Sequence, residues 1–430
     1  VGLVCNRWHG QCMQASLLRT NCFLRSNVGA DEGLDVTIVE AEPRLGGTCL
    51  LRGCIPSKAL LHVAKVISEV EELREEWGVV YDESPKIDID KVRARKDKVI
   101  SNLTGGLGQL AKRRNVTVIQ ARGSFVDSNT LKLEGDHDSV PEDGTLTFDK
   151  CILATGSVPA MPPAFRIDSD RVMDSTGALA LEDIPENLLV VGGGYIGLEM
   201  GSVWSRLGAE VVLFEALDEF LPAIDRDMAK VAQREFKKQK LDIRMGCKVS
   251  GAEVSEGKVK LGYNDGKEDH EEVFDRLLVA VGRKAATDNL VADDSGVELT
   301  ERGQIQVDDH CRTSAENIWA IGDLVRGPML AHKASEEGIA VAETIAGQAG
   351  HINLETVPWV IYTDPEIAWV GKTEAQLEEE GIEYRTGAFP FAATGRGLAM
   401  GNPVGQVKII ADAETDELLG CQIVGSYASE

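Results

Sequence analysis

The sequence predicts an α/β fold with two parallel sheets, each flanked by helices, followed by an α+β segment. Two observations support this prediction. Short β-type runs alternate with helical ones along most of the 430 residues, a pattern typical of parallel sheets covered by helices. In addition, a strand that ends in an acidic residue occurs twice, at Glu40 and at Glu215. The repeat indicates two domains of related architecture.

The individual elements follow from local patterns. Apolar runs predict strands at 35–40, 151–157, 276–283 and 317–324, and helical periodicity predicts helices at 55–77 and 331–347. From about residue 354, β segments around a short helix at 373–381 predict the mixed C-terminal segment.

The stretch from Asn187 to Pro222 forms one complete β-α-β unit with a glycine fingerprint. Its glycines are Gly192, Gly194 and Gly197, and the acid Glu215 follows 23 residues after the first of them. The first glycine allows the tight turn, the second lets the backbone approach a pyrophosphate, and the third allows close packing of helix and strand. Glu215 can accept hydrogen bonds from ribose hydroxyls and repels a 2′-phosphate. The unit is therefore Rossmann-like and favours NAD over NADP.

The earlier strand carries only the second half of such a unit. Gly33 precedes Glu40 by seven residues, as Gly208 precedes Glu215. The same spacing predicts upstream glycines, but the chain has other residues at those positions: Leu17, Arg19 and Cys22. We hypothesise that a frameshift, a wrong start or a splicing error altered the sequence before residue 33. The other reading frames of the coding DNA test this, because absence of the fingerprint from all of them contradicts it.

Composition excludes several classes of partner. The net charge of −25 argues against nucleic acid and anionic membrane surfaces, and no apolar run approaches the ~20 residues of a membrane span. The N-terminal stretch lacks the pattern of a signal peptide. Nine cysteines scattered over a long acidic chain do not indicate a secreted disulfide framework. We therefore expect a cytoplasmic protein.

Two of those cysteines, Cys49 and Cys54, lie in the segment GGTCLLRGCIPSKALL just before a predicted helix. Taken alone, they could form a structural disulfide, half of a metal site or a redox pair. A zinc site lacks a second nearby Cys or His pair, and a structural disulfide is disfavoured in a reducing compartment. Pro56 suits the first turn of a helix, so Cys54 lies near a helix N-terminus, which stabilises a thiolate.

These motifs together resemble those of the FAD-dependent pyridine nucleotide–disulfide oxidoreductases. The resemblance runs from about Gly33 to Glu430 and rests on the following segments: GGTCLLRGCIPSKALL, ATGS, GGGYIGLEMGSVW, VGR, AIGDL, GPMLAHKASEEG and YTDPEIAWVGKTEAQL. CIPSKALL and the acidic Glu215 are most similar to the branch that oxidises dihydrolipoamide with NAD⁺. Alternatives are a related disulfide, mercuric or quinone reductase, or a non-catalytic nucleotide-binding remnant.

The resemblance implies roles for individual residues. Cys49 exchanges with the dithiol substrate, Cys54 faces the flavin, and Lys58 pairs with Glu199 near the flavin. The residues that it implies for FAD binding are Glu40, Gly46, Gly47, Thr48, Lys58, Gly123, Thr155, Gly156, Ser157, Asp323, Met329, Leu330, Ala331 and His332. Those that it implies for NAD binding are Gly192, Gly194, Tyr195, Gly197, Glu199, Glu215, Val249 and Gly282. It implies no metal ligand.

The resemblance also implies a domain order and partners. The expected ranges are an FAD-binding domain at 1–157, aberrant before about 33, an NAD-binding domain at 158–282, a second FAD or central part at 283–353, and a truncated interface domain at 354–430. It implies a homodimer that acts on lipoyl domains of 2-oxoacid dehydrogenase complexes. The family's catalytic His-x₄-Glu pair has no counterpart after His351, so the resemblance implies a chain that is incomplete at both ends.

Overall fold

The computed structural model describes residues 2–8, 33–83 and 85–430. The positions at which the missing glycines were expected, 17, 19 and 22, lie outside these residues. The chain divides into two compact units, one formed by 1–56, 97–158 and 283–354 and the other by 57–96, 159–282 and 355–430. The domain boundaries given above stay a prediction.

The first unit contains a five-stranded sheet, a three-stranded antiparallel sheet and a two-stranded sheet. In the large sheet, Leu34–Glu40 pairs in parallel with Thr117–Gln120, and Lys150–Ala154 pairs in parallel with Ile318–Ala320. Between them lies Gly2–Trp8, which runs antiparallel to both of its neighbours. The other strands of this unit are Arg122–Phe125, Thr130–Glu134, Thr145–Thr147, Ser157–Pro159 and Arg283–Ala285.

The helices of the first unit flank this sheet. They are Gly47–Arg52, the C-terminal part of Ile89–Arg113, and Ala331–Ile345. Two apolar clusters lie within the unit, one around Leu131 and Leu153 and the other around Ile38 and Val341. Short 3₁₀ helices occur at Asp293–Ser295 and Gly322–Leu324.

The second unit is built on a five-stranded parallel sheet that confirms the predicted Rossmann-like architecture. Its strands, in spatial order, are Asp242–Arg244, Glu210–Phe214, Asn187–Val191, Arg276–Val279 and Val172–Met173. A three-stranded antiparallel sheet follows, formed by Lys248–Ser255, Lys258–Asn264 and Asp269–Phe274. The sequence patterns did not predict this second sheet.

The C-terminal part of the same unit forms a five-stranded antiparallel sheet. Its strands are Trp359–Ile361, Glu366–Gly371, Leu418–Gly425, Gly405–Asp412 and Tyr384–Pro390. The helices of the unit are Cys54–Glu75, which begins in the first unit, Ser175–Ala180, Tyr195–Arg206, Arg226–Lys238, Glu374–Glu380 and Gly395–Ala399, with 3₁₀ turns at Pro163–Phe165 and Phe391–Ala393. The predicted short helix is confirmed at Glu374–Glu380, and Thr373 caps it in a capping box with Gln376.

None of the helices in the described part of the chain has the length and apolarity that crossing a membrane demands.

Candidate active site

The two cysteines lie on either side of a sharp bend between two helices. Cys49 belongs to the helix Gly47–Arg52, and Cys54 begins the helix Cys54–Glu75. At Gly53, between them, an added Cβ would lie 2.9 Å from the carbonyl oxygen of Thr48 and 3.3 Å from the Cα of Cys49. A side chain at this position would collide with the preceding helix. The bend therefore brings Cys49 and Cys54 close together, and both are half-buried.

Lys58 lies one turn after Cys54, within the second unit, and contacts two groups of that same unit. Its Nζ lies 3.5 Å from Oε1 of Glu199 and 3.8 Å from the centroid of the Tyr362 ring. The Glu199 side chain is only 6% exposed, and its Oε1 also accepts a hydrogen bond of 3.1 Å from the backbone N–H of Tyr362. The Lys58 side chain thus lies between a carboxylate and the face of an aromatic ring.

The glycine fingerprint of the second unit forms the tight turn that its spacing predicts. Gly192 has a φ of +113°, and a Cβ there would lie 2.4 Å from the carbonyl oxygen of Ala280. A Cβ at Gly197 would lie 1.9 Å from the carbonyl oxygen of Gly192. Gly194, in contrast, opens onto free space and precedes the helix Tyr195–Arg206. The open side of the turn therefore presents a helix N-terminus, which suits a phosphate group.

Glu215 is held beside this turn by two backbone donors. Its Oε2 accepts a hydrogen bond of 2.7 Å from the N–H of Gly193, and its Oε1 accepts one of 2.9 Å from the N–H of Leu217. Each carboxylate oxygen retains capacity for a further donor. A fixed acid next to an open glycine turn fits the adenosine ribose and pyrophosphate of NAD.

The remaining residues predicted for NAD lie around the same sheet. Tyr195 is the first residue of the fingerprint helix, and Val249 lies at a bulge in the strand Lys248–Ser255. Gly282 has a φ of +111°, and its carbonyl oxygen accepts a hydrogen bond of 2.9 Å from the N–H of Ala160. These three positions belong to the same unit as the turn.

In the first unit, the ATGS turn and the AIGDL turn are joined by a chain of hydrogen bonds. The hydroxyl of Ser157 donates to the Asp323 carboxylate and accepts from Nε of Arg283 at 2.7 Å. A second Arg283 nitrogen donates to the carbonyl oxygen of Ser157, also at 2.7 Å. The Thr155 hydroxyl donates to the carbonyl oxygen of Ala286 at 2.9 Å. Asp323 is therefore oriented by residues distant from it in sequence.

Other residues predicted for FAD occupy positions that fit a bound dinucleotide. Glu40 is buried at the end of its strand, and its Oε1 accepts a hydrogen bond of 3.0 Å from the N–H of Glu42. Burial raises the pKa of the Glu40 carboxyl above its usual value. Gly156 has a φ of +74° and open space where a side chain would lie. A buried acid, an open glycine turn and an oriented aspartate fit an adenosine ribose and a polyol chain.

The other positions predicted for FAD binding lie in three separate segments. Gly46 and Gly47 both have positive φ at the start of the helix that carries Thr48. Met329, Leu330, Ala331 and His332 are half-buried at the start of the helix Ala331–Ile345. Gly123 pairs with Leu133 within the strand Arg122–Phe125 and does not form a turn.

Sequence reasoning missed three residues that organise these sites. Tyr362 contacts Lys58 and Glu199, and Lys333 and Glu337 form a fully buried ion pair of 2.8 Å next to Asp323. The signal for the pair was present, since Lys333 and Glu337 are four residues apart on a helix. Such pairs usually lie on the exposed face, which is why the pattern alone did not identify this one.

Three carboxylates, those of Asp225, Asp227 and Glu374, converge in the second unit in an arrangement that could suit a cation. The ammonium of Lys408 lies among them, at 2.9 Å from Asp225, at 3.0 Å from Asp227 and in contact with Glu374. Burial alone would lower the pKa of Lys408, but its hydrogen bonds to the three carboxylates raise it. The lysine is thus the cation of this cluster, which we interpret as structural.

Two models of known protein families match most of the chain. Residues 23–338 match the model described as "Pyridine nucleotide-disulphide oxidoreductase", and residues 357–430 match that described as "Pyridine nucleotide-disulphide oxidoreductase, dimerisation domain".

Curated relatives and solved structures extend the match to almost the whole chain. A dihydrolipoyl dehydrogenase of Cupriavidus necator is 48% identical over 408 residues, which are 94% of this chain and 84% of the relative. A mitochondrial dihydrolipoyl dehydrogenase of Pisum sativum is 42% identical over 93% of this chain and 80% of its own. The flavoprotein disulfide reductase RclA from Escherichia coli, solved as a Cu(II) complex, has a TM-score of 0.82 at 29% identity, covering 95% of this chain and 88% of RclA.

Proposed function

The chain belongs to the family of pyridine nucleotide-disulphide oxidoreductases, and we propose that within this family it oxidises dihydrolipoamide to lipoamide with NAD⁺. Enzymes of this family use FAD and NAD(H). The observation that carries the proposal is the bend at Gly53, which brings Cys49 and Cys54 together at the start of the helix that also holds Lys58.

Thiol–disulfide exchange at the two cysteines accounts for the first half of the reaction. The reaction starts from the oxidised protein, in which Cys49 and Cys54 form a disulfide. A thiolate of dihydrolipoamide attacks Sγ of Cys49, which breaks the Cys49–Cys54 bond and releases Cys54 as a thiolate. The second substrate thiol, after losing its proton, attacks the mixed disulfide and releases Cys49. Lipoamide leaves as a disulfide, and the protein has gained two electrons as a dithiol. Position at a helix N-terminus stabilises the Cys54 thiolate as a leaving group.

The chemistry that bound FAD would supply is transfer of this electron pair from the dithiol to NAD⁺, so that the net products would be lipoamide, NADH and one proton. Residues of this chain hold the cofactor and set the charge around it. We assign Gly46, Gly47, Thr48 and Asp323 to flavin binding, along with the other positions that the resemblance implies. We also assign Lys58, which contacts Glu199 and Tyr362, to the flavin site.

The second unit contains the site that we assign to NAD⁺. The turn at Gly192–Gly197 accommodates the pyrophosphate, and Glu215 accepts hydrogen bonds from the ribose hydroxyls. A 2′-phosphate would approach a fixed carboxylate and would be repelled. We therefore propose NAD⁺ as the acceptor.

The proposal extends to partners. The C-terminal range matches a dimerisation domain, which supports a homodimer. Relatives named dihydrolipoyl dehydrogenase support lipoyl domains of 2-oxoacid dehydrogenase complexes as the source of the dithiol. The nine scattered cysteines support action in the cytoplasm, where thiols stay reduced.

Reduction of NAD⁺ by dihydrolipoamide tests the proposal. Purified protein loaded with FAD is expected to form NADH, to prefer NAD⁺ over NADP⁺, and to lose this activity when Cys49→Ser is introduced. Cys421→Ser is the matched control, because Cys421 is also half-buried but lies on the strand Leu418–Gly425. The assigned substrate would be contradicted if FAD-loaded wild-type protein does not oxidise dihydrolipoamide, yet uses NADH to reduce another disulfide, a quinone, mercuric ion or Cu(II).

A further inference from the structure

Gly322, the residue immediately before Asp323, is held from both sides by a buried ion pair. Its N–H donates a hydrogen bond of 2.7 Å to Oε2 of Glu337, and its carbonyl oxygen accepts one of 3.0 Å from Nζ of Lys333. Nζ of Lys333 lies 2.8 Å from Oε1 of Glu337, and neither side chain has any exposed surface. One ion pair therefore satisfies both backbone polar groups of a single residue.

The polarity of this arrangement is specific. A carboxylate can only accept hydrogen bonds, and an ammonium can only donate them. The N–H of Gly322 therefore requires the acid. Its carbonyl oxygen, which also accepts a hydrogen bond of 3.2 Å from the N–H of Val325, requires a donor such as the lysine for its second hydrogen bond. Lys333 and Glu337 lie one turn apart on the helix Ala331–Ile345, so the helix fixes their spacing. Arg326 is a second cation near Glu337, but at 3.9 Å it is too distant for a hydrogen bond.

The Asp323 side chain is held independently, by the Ser157 hydroxyl and through it by Arg283. The backbone before the aspartate and its carboxylate are thus fixed by two separate groups of residues. Stability alone does not require the buried ion pair, because apolar residues of similar volume commonly replace such pairs without loss. What an apolar pair could not do is bind the N–H and the carbonyl oxygen of Gly322.

We propose that Lys333 and Glu337 are positioning residues, which act through Gly322 to hold Asp323 in the orientation that binds FAD. The inference rests on the proposed function in one respect, the assignment of Asp323 to the flavin. Neither charged group contacts the cofactor in this proposal. Their contribution is to restrict the backbone turn Gly322–Leu324 before the cofactor arrives, so that less conformational freedom is lost on binding.

Exchanging the charges of Lys333 and Glu337 distinguishes a positioning role from a contribution to stability alone. The double variant K333E/E337K keeps an ion pair at the same spacing, with the acid N-terminal to the lysine as helices prefer. It nevertheless places an acceptor at the carbonyl oxygen of Gly322 and a donor at its N–H. E337Q removes the charge of one partner and retains an amide oxygen that can accept from Gly322. K408M is the matched control, since it removes a buried lysine from among carboxylates in the other unit.

Two measurements on each variant are required. The first is the FAD dissociation constant of the protein stripped of flavin, and the second is hydrogen exchange of the segment that contains Gly322 and Asp323. We expect the charge reversal to weaken FAD binding by at least about tenfold, the scale on which outer hydrogen-bond partners act on bound groups. We expect exchange of the segment without FAD to accelerate by at least about tenfold. E337Q is expected to give a smaller change in the same direction, and K408M to change neither quantity.

The outcomes distinguish this inference from the proposed function. If the charge-reversed variant binds FAD as tightly as the wild type does, and the segment is equally protected from exchange, the pair is only a source of stability and the inference is wrong. If wild-type protein binds no FAD, the proposed function fails, while faster exchange in the charge-reversed variant would still support the positioning of Gly322.

Discussion

Two glycine turns in this chain are built by different physical means. The turn at Gly192–Gly197 is fixed by sterics, because the carbonyl oxygens of Ala280 and Gly192 leave no room for a side chain at Gly192 or at Gly197. The turn at Gly322–Leu324 is fixed by charges and hydrogen bonds from Ser157, Lys333 and Glu337, which approach from other segments. The comparison teaches that the first turn is vulnerable to an atom added at Gly192 or Gly197, whereas the second is vulnerable to altered polarity.

The largest effect is expected at the cysteines, which lie in the same unit as the second turn. Cys49→Ser or Cys54→Ser should lower NAD⁺ reduction by dihydrolipoamide at least about a thousandfold, the scale on which loss of a nucleophile acts. Reduction of a dye by NADH does not pass through the thiols and should persist in the FAD-loaded protein. Parallel assays of the two reactions check this. Equal loss of both would mean that the cysteines hold the fold together and do not carry electrons.

A methyl group added to the first turn tests its steric character. Gly197→Ala places a Cβ 1.9 Å from the carbonyl oxygen of Gly192, so we expect a loss of stability of about 2–3 kcal/mol. Gly194→Ala is the matched control, since its Cβ meets open space and its φ of −76° suits alanine. It should change stability by less than about 0.5 kcal/mol. Its Cβ points to the side assigned to the pyrophosphate, so NADH should nevertheless bind more weakly. Chemical denaturation and NADH titration measure the two effects, and equal stability of both variants would contradict a steric turn.

Removal of one hydroxyl tests the polar character of the second turn. Ser157→Ala removes a donor to Asp323, and the net contribution of such a bond is about 1.5–3 kcal/mol when the acceptor is charged. We therefore expect FAD affinity to fall at least roughly tenfold. Arg283 would keep its bond to the carbonyl oxygen of residue 157, so the strand should remain folded. Unchanged FAD affinity would show that Asp323 does not depend on this hydroxyl.

The smallest effect is expected from the aromatic ring beside Lys58. Tyr362→Leu removes the ring but keeps the backbone N–H that binds Glu199, so it should lower the free energy of unfolding through loss of a cation–π contact worth about 0.5–2 kcal/mol. Tyr362→Phe keeps a ring face and should leave the free energy of unfolding close to that of the wild type. Chemical denaturation of the two variants measures this difference. A Phe variant that behaves like the Leu variant would assign the effect to the hydroxyl.

Contiguous patterns made most of the fold predictable. The strands that contain Val39, Leu153 and Val190 lie where apolar runs predict them, because each is buried on both faces. The fingerprint turn follows its spacing because close packing at Gly192 and Gly197 leaves no room for a Cβ. The antiparallel sheet at 248–274 was missed because its strands alternate buried and exposed residues and carry many charges, such as Glu253 and Lys260.

The contacts of the site were less predictable because they depend on topology. Lys333 and Glu337 have the spacing of an ordinary surface pair, and only the packed structure shows that the surrounding helix face is buried. Tyr362 lies 304 positions after Lys58, and no local pattern connects them. The pairing of Lys58 with Glu199 was expected from the family resemblance, and their contact at 3.5 Å agrees with it.

The most direct test of the central claim is a count of thiols during an anaerobic titration. FAD-loaded protein is treated with one equivalent of dihydrolipoamide and then alkylated and digested. The mass of the peptide that contains both Cys49 and Cys54 is measured by mass spectrometry. The account predicts two new alkyl groups on this peptide for each dihydrolipoamide oxidised, and their disappearance when NAD⁺ is added before alkylation. A peptide whose mass is the same with and without dihydrolipoamide, while lipoamide is formed, would contradict electron transfer through these two cysteines.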